Sequence, residues 1–460
     1  MSSFDAVFKA YDIRGTVPDQ LDAPMCRAIG WAFARFTGAQ RVIVARDMRS
    51  SGVELSGAFA AGARAAGASV VDLGLASTDL LYFASGRLDL PGAMLTASHN
   101  PAAYNGIKLC LSSARPVGQD TGLDDIRRGA DEVLRSGANG GGPVGGYEAL
   151  DLLDEYAAHV RSFVDVAALR PLTVVADTAN GMGGLVAPRV FAGLPLRVEL
   201  LYPELDGTFP NHPADPIQPE NLVDLKEAVL AAKADVGLAF DGDADRVFLV
   251  DEQAEPVSGS LTTALVAAAM LEKHPGATVL YNLICSKVVP ETIAEHGGTA
   301  VRTRVGHSFI KAIMAETGAV FGGEHSGHYY FRENYRADSG IIAAMIVLGV
   351  MSAAGRPLSE LLAPYRRYAD SGEINTVVDD PPAAVEAMAE HLAGGGAAID
   401  RTDGLTVDHG DWWFNLRPSN TEPLLRLNVE ARTPEECERR VAEVLGLVGA
   451  VSSGVRSAGS

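Results

Sequence analysis

The chain has 460 residues, 47% of them hydrophobic, and a formal net charge of −20. Such a length means about three or four domains with sizeable cores. The negative average field excludes nucleic acid and anionic membranes as partners, so any bound phosphate must be caught by local clusters of Arg, Lys and backbone N–H groups.

Cys26, Cys110, Cys285 and Cys437 are far apart with no C-x-x-C pair, which fits a reducing cytoplasm rather than a disulfide scaffold or zinc site. Residues Met1–Asp5 show no basic–apolar leader, and the longest apolar run, Ile341–Met351, is far shorter than the roughly 20 residues that span a bilayer. The expectation is a cytoplasmic protein, monomer or dimer, whose partners are small molecules.

In chain order, three stretches repeat one pattern. Val42–Asp47, Val174–Asp177 and Thr278–Asn282 are apolar strands ending in a polar turn. Each precedes a segment with helical spacing and a second apolar run, at Ala68–Leu73, Leu196–Leu201 and Thr299–Val301. A third run then ends in an unusual loop. Gly92–Leu95 leads to Thr96-Ala97-Ser98-His99-Asn100-Pro101, Val236–Phe240 to Asp241-Gly242-Asp243-Ala244-Asp245-Arg246, and Ala319–Phe321 to Gly322-Gly323-Glu324-His325-Ser326-Gly327-His328. Strand–helix–strand repeats predict helix-covered, mostly parallel sheets.

The Gly-rich stretch Gly137–Gly146 is too flexible for regular structure and ends the first unit. From Ser371 the pattern changes to alternating runs at Gly404–Val407 and Leu424–Val429, and to a helix over Pro434–Val448 opened by Thr433 as N-cap; Ser452–Ser460 reads as a disordered tail. The predicted fold is α/β, with three topologically similar α/β domains at 1–147, 148–251 and 252–368. A smaller C-terminal α+β domain at 369–460 completes it, and the three polar loops are expected to face one cleft.

The loops carry the chemistry. Ser98 falls at the carboxyl end of a strand, where α/β folds place their active groups, and no G-x-S-x-G surrounds it. Asp241, Asp243 and Asp245 alternate with small residues, and three carboxylates so close repel unless a cation neutralises them. Hard oxygen ligands point to Mg²⁺ or Ca²⁺, and the reading taken is Mg²⁺. An EF-hand is disfavoured because Arg246 stands where that loop needs Gly and the flanks read as strands.

Glu324, Ser326 and His328 offer a carboxylate, a hydroxyl and an imidazole, a set suited to sugar hydroxyls that donate and accept. With His325 they form H-x-x-H, a weak metal signal without a third ligand. Arg417-Pro418-Ser419-Asn420-Thr421-Glu422-Pro423 has the composition of an anion clamp, with neither the Gly spacing nor the Lys of a Walker A loop. Surface turns are the competing reading for both loops. Lesser signals are Tyr11 and Arg14 in Tyr11-Asp12-Ile13-Arg14-Gly15, Lys108 beyond the serine loop, and His307 before a helical run.

Taken in order, Thr96–Pro101, Asp241–Arg246, Gly323–His328 and Arg417–Pro423 resemble the phosphoserine, metal, sugar and phosphate loops of the α-D-phosphohexomutase family, phosphomannomutase/phosphoglucomutase branch, over essentially the whole chain. The resemblance implies that all four domains are arranged around a central cleft. It also implies reversible interconversion of a hexose 1-phosphate and its 6-phosphate, mannose first, with phosphoglucomutase or dual specificity as the alternative. Phosphoglucosamine mutase is less favoured, because His325 stands where that branch typically has Gln; a metal-dependent sugar phosphatase is the rival outside the family.

By the same resemblance Ser98 carries a phosphoryl group and, with Asp241, Asp243 and Asp245, holds Mg²⁺. Lys108, Arg14 and His328 serve proton transfer or charge stabilisation. Tyr11, Arg246, His307, Glu324, Ser326, His328, Arg417, Ser419, Asn420 and Thr421 bind substrate, and a hexose 1,6-bisphosphate acts as activator. One departure stands out: Ile284 falls where some members carry a substrate-facing lysine, with Lys287 as the nearest replacement.

Overall fold

The structure, a computed structural model, describes residues 3–137, 143–393, 396–419 and 424–457. Three of its four sheets share one plan. In the first, β1 (Arg41–Arg46) lies parallel between β2 (Ser69–Leu75) and β3 (Gly92–Leu95), and β3 pairs antiparallel with β4 (Tyr104–Leu111). The second repeats this with β5 (Leu172–Asp177) between β6 (Leu196–Leu201) and β7 (Val236–Phe240), and with β8 (Val247–Asp251) antiparallel to β7. The third uses β9 (Thr278–Asn282), β10 (Thr299–Thr303), β11 (Phe321–Gly323) and β12 (Tyr329–Phe331) in the same way.

Every residue of β3 and β7 is buried. This explains why these strands read as unbroken apolar runs rather than alternating ones. The antiparallel fourth strands make the sheets mixed, and each serine, metal or sugar loop is the link between a third strand and its fourth. The first sheet also gains Ile13–Thr16 beside β4 and Tyr147–Ala149 beside β2.

The fourth sheet is wholly antiparallel: β13 (Ala369–Val377), β17 (Leu424–Ala431), β16 (Trp413–Pro418), β15 (Leu405–Asp408) and β14 (Ala398–Asp400), in that spatial order. The terminal helix runs over Pro434–Ser457, with Thr433 Oγ1 accepting from Glu436 N at 3.3 Å. It therefore outlasts its expected end at Val448 and takes up most of the expected disordered tail. Ala450, Val451 and Val455 extend its non-polar composition past that point. Residues 458–460 lie outside the described residues, as do residues 138–142 of the Gly-rich stretch.

No single described helix is long and apolar enough to cross a membrane. The apolar run at 341–351 is instead a core helix, α3 below, buried along most of its length. Its N-cap helps lock the first three units together. Asp79 on α1 (Thr78–Leu88) of the first unit accepts hydrogen bonds from Ser77 Oγ, from Tyr156 OH on α2 (Leu153–Arg161) of the second, and from Ser339 Oγ at 2.7 Å. Ser339 caps α3 (Gly340–Ala354) of the third unit.

Burial pushes the Asp79 carboxyl up to about 7, against the pull of those three hydroxyls. The native state thus holds this proton more tightly than the unfolded chain, and the group's contribution to stability is lost as pH rises from the ordinary carboxylate range to about 7. Asp79→Asn is expected to gain about 2 kcal/mol relative to the unmodified protein between pH 5.5 and pH 8. Chemical denaturation at the two pH values measures it, and an unchanged difference would refute it.

Candidate active site

The serine loop and the metal loop meet at the end of β3 and β7. Ser98 is 4% exposed and sits in the left-handed region at φ +49°, an uncommon conformation for a non-glycine residue. Its Oγ donates to Asp241 Oδ2 at 2.7 Å and accepts from Arg246 Nη2 at 3.4 Å. Arg246 also donates through Nε to Asp241 Oδ2 at 2.9 Å and through Nη2 to His99 Nδ1 at 2.5 Å. An acceptor at Nδ1 leaves the ring proton of neutral His99 on Nε2. Burial, then the nearby Arg246 charge, holds that ring well below its usual range.

The fit between the two loops is tight. A Cβ on Gly242 would stand 2.4 Å from Ser98 O. Gly242→Ala is therefore expected to push the serine loop off the metal loop and lower kcat about 100-fold, the scale of a 1 Å misplacement, with the melting temperature little changed. Steady-state kinetics beside thermal melting decides this.

Lys108 reaches across from β4 to bridge two of the carboxylates, with Nζ 2.7 Å from Asp243 Oδ2 and 2.6 Å from Asp245 Oδ2. Thr78, at the start of α1, donates its hydroxyl to Asp243 Oδ2 at 2.5 Å and its N–H to Asp243 O at 3.0 Å. The carboxylates still lack full compensation. One oxygen from each of Asp241, Asp243 and Asp245 lies within 4.8 Å of the others, and Oδ1 of Asp243 and of Asp245 is buried without a hydrogen bond among the described residues.

Burial pushes Asp241 up to about 8; Arg246 pulls against this, and Asp243 and Asp245 add to it. Asp243 is held below the usual range, because Lys108 and Thr78 outweigh its burial. A buried cluster of three carboxylates with orphaned acceptors among them fits a hard divalent cation.

The sugar loop closes one side. Glu324 is buried, accepting from Asn282 Nδ2 at 3.1 Å, Tyr330 OH at 2.5 Å and Gly306 N at 3.4 Å. His328 pairs its backbone with Arg246, joins Ser326 Oγ through Nδ1 at 2.9 Å and places Nε2 3.8 Å from Asp245 Oδ1. Sugar loop and metal loop are thereby one surface.

Arg14, on Ile13–Thr16, binds Asn100 Oδ1 of the serine loop and its neighbour Asp12. Tyr11 donates to Val305 O at 3.4 Å. Burial raises the Tyr11 phenol, and Arg304, Asp403, Glu324 and Arg417 act on it electrostatically. Side chains of the third and fourth units thus gather around the first.

In the fourth unit Arg417 Nη2 and Arg426 Nη1 share Glu373, at 2.8 and 3.3 Å, and Arg426 Nη2 donates to Ser419 Oγ at 3.3 Å. Asn420 and Thr421 lie outside the described residues, and so does the side chain of His307, which opens the helix His307–Thr317. Ile284 is buried. Lys287 is no replacement for a substrate-facing lysine, because its ammonium is spent on Asp408 Oδ1 and Gly410 O, both at 2.7 Å, tying the third unit to the fourth.

Thr78, Arg49 and Arg426 escaped the sequence reading. Thr78 follows an N-cap serine and Arg49 follows the strand-end pair Arg46-Asp47, so both carried the polar-turn signal of the chosen loops. Arg426 sits inside an alternating strand and carried none.

Four lobes, with a serine, an acidic triad, a carboxylate loop and an arginine pair at the ends of their sheets, define a sugar-phosphate mutase architecture. Four family descriptions match in sequence: phosphoglucomutase/phosphomannomutase alpha/beta/alpha domain I over residues 5–133, domain II over 154–255, domain III over 258–368 and the C-terminal domain over 373–447. The chain belongs to the phosphoglucomutase/phosphomannomutase family.

It is 41% identical over 444 residues to the "phosphohexose mutases" of Xanthomonas campestris pv. campestris, covering 96% of this chain and 98% of that one. It is 38% identical over 449 residues to a phosphomannomutase of Salmonella montevideo, with the same coverage. Among solved structures, a phosphoglucomutase/phosphomannomutase family protein from Burkholderia thailandensis superposes with a TM-score of 0.88 at 33% identity, covering 97% of each chain.

Proposed function

We propose that the chain interconverts mannose 1-phosphate and mannose 6-phosphate, with glucose phosphates as second substrates, through a phosphoryl group carried on Ser98 and a hexose 1,6-bisphosphate intermediate. The observation that supports this best is the seating of Ser98 Oγ between Asp241 Oδ2 and Arg246 Nη2. That hydroxyl faces both a potential cation site and a fixed guanidinium. The order mannose before glucose follows the name of the Salmonella relative.

In this reading the substrate hydroxyl attacks the phosphoryl group on Ser98. The Oγ–P bond breaks as the new O–P bond forms, and the hydroxyl proton passes to a base. His328 is our candidate base, since Ser326 orients its ring at the edge of the metal loop. The bisphosphorylated sugar turns over and returns its other phosphate to Ser98, so a stray hexose 1,6-bisphosphate can prime the enzyme.

Phosphoryl transfer needs positioning and charge neutralisation more than covalent chemistry. Mg²⁺ on Asp241, Asp243 and Asp245 would supply the neutralisation. Lys108 holds two of those carboxylates in place, Glu324 and Ser326 read sugar hydroxyls, and Arg417 with Ser419 grips the phosphate that is not reacting. Arg14 fixes the serine loop through Asn100.

The test compares kcat/KM on mannose 1-phosphate, glucose 1-phosphate and glucosamine 1-phosphate with Mg²⁺ and a trace of hexose 1,6-bisphosphate. Mannose is expected to rank first. Release of free phosphate as the main product would replace the mutase by a phosphatase.

A further inference from the structure

We infer that Arg49, outside every loop discussed so far, is the positioning residue that gives the serine loop its reactive shape. Its side chain is 1% exposed and all five of its N–H donors are accounted for. Nε donates to Asp47 Oδ2 at 3.2 Å. Nη1 donates to Pro101 O at 2.8 Å and Tyr104 O at 2.9 Å; Nη2 donates to Ser98 O at 2.8 Å and Asn100 O at 2.6 Å. Four backbone carbonyls of one seven-residue loop therefore converge on a single guanidinium.

Carbonyl dipoles turned toward one point repel unless a cation sits there. The planar fork of arginine reaches four of them at fixed angles, and a lysine ammonium, with three donors, cannot. This grip explains how Ser98 keeps its left-handed backbone at φ +49°. With its carbonyl held by Arg49 and packed closely on Gly242, where a Cβ would not fit, Ser98 directs its hydroxyl to Asp241.

The second unit completes the clamp. Phe209 stacks its ring 5.2 Å from the guanidinium carbon, and a Cβ on Gly207 would stand 2.5 Å from Arg49 Cα. Asp47 is itself buried and accepts from Arg49 N at 3.0 Å, so the guanidinium has a buried carboxylate as its counter-charge. Arg49 thus acts through Ser98, with no N–H donor left over for sugar or phosphate.

The inference rests on the mutase reading for its kinetic arm, and a second arm stands without it. Arg49→Lys keeps charge and approximate volume. It is expected to lower kcat on mannose 1-phosphate about 100-fold, as for a misplaced reacting group, with KM and the Mg²⁺ requirement within twofold of the unmodified enzyme. Hydrogen exchange should show the N–H groups of Ser98, Asn100 and Tyr104 exchanging at least about tenfold faster, with the helices of the first unit unchanged.

Unchanged exchange in this loop would overturn the inference whatever the rates, and so would a loss carried by KM with kcat intact. If Arg49→Lys does not fold, Asp47→Asn, which weakens the hold on Arg49 through both its Nε and its backbone N–H, is read by the same two measurements. Its expected kcat loss is about fivefold, and unchanged exchange and kcat would again overturn the inference. Absence of turnover in the unmodified enzyme would sink the mutase reading, and the exchange arm would still judge Arg49.

Discussion

Replacing Ser98 by alanine is expected to cost at least about 10⁵-fold in mutase kcat, the scale of removing a nucleophile that works as part of a unit. The reason is chemical rather than structural. The variant loses an acceptor for the phosphoryl group and the contacts of Oγ with Asp241 at 2.7 Å, His99 Nδ1 at 3.3 Å and Arg246 at 3.4 Å, while the loop itself stays clamped through backbone carbonyls that the substitution does not touch. The melting temperature should therefore move little. Rate assays with hexose 1,6-bisphosphate, beside incorporation of labelled phosphate into the protein, check both halves. A Ser98→Ala variant that still isomerises would end the phosphoserine mechanism.

Asp243→Asn comes second in size. Asp243 Oδ2 accepts from Lys108 Nζ and Thr78 Oγ1, and its Oδ1 is one of the orphaned acceptors. An amide presents two N–H donors where the site offers mostly donors or a cation, and it removes one of three negative charges. The half-saturating Mg²⁺ concentration is expected to rise about 100-fold, with kcat at saturating Mg²⁺ down about 10²- to 10³-fold, as when a fixed electrostatic partner of a transferring group is lost. Titrating the rate with Mg²⁺ separates the two effects. A variant whose Mg²⁺ dependence matches the unmodified enzyme would remove Asp243 from the cation site.

The contrast between these residues and Arg49 shows how far a chain can be read unaided. Ser98, Asp241, Asp243, Asp245, Glu324 and His328 were legible because each follows a buried strand, and burial on both faces leaves an apolar run that stops abruptly at the loop. The threefold repeat was legible for the same reason. The fourth strands were harder to see. Tyr329–Phe331 is three residues long, and Tyr104–Leu111 begins within a loop rich in turn formers.

The terminal helix was cut short in the sequence reading because Ser452, Ser453 and Gly454 suggest a tail. Propensity is a weak prior on a helix already started and capped at Thr433.

The sequence by itself determined the number of lobes, the loops that carry chemistry and the residue types at their tips, since these follow from local periodicity and composition. Tertiary structure decided which loop faces which. It set Ser98 on Asp241, brought Lys108 from one sheet to the carboxylates of another, and tied Lys287 to Asp408. It also made Arg49 a clamp and Asp79 a junction of three units. Those pairings join residues up to 260 positions apart. They are chosen by the packing of whole domains, and a buried polar group takes its partner from whatever that packing brings within reach.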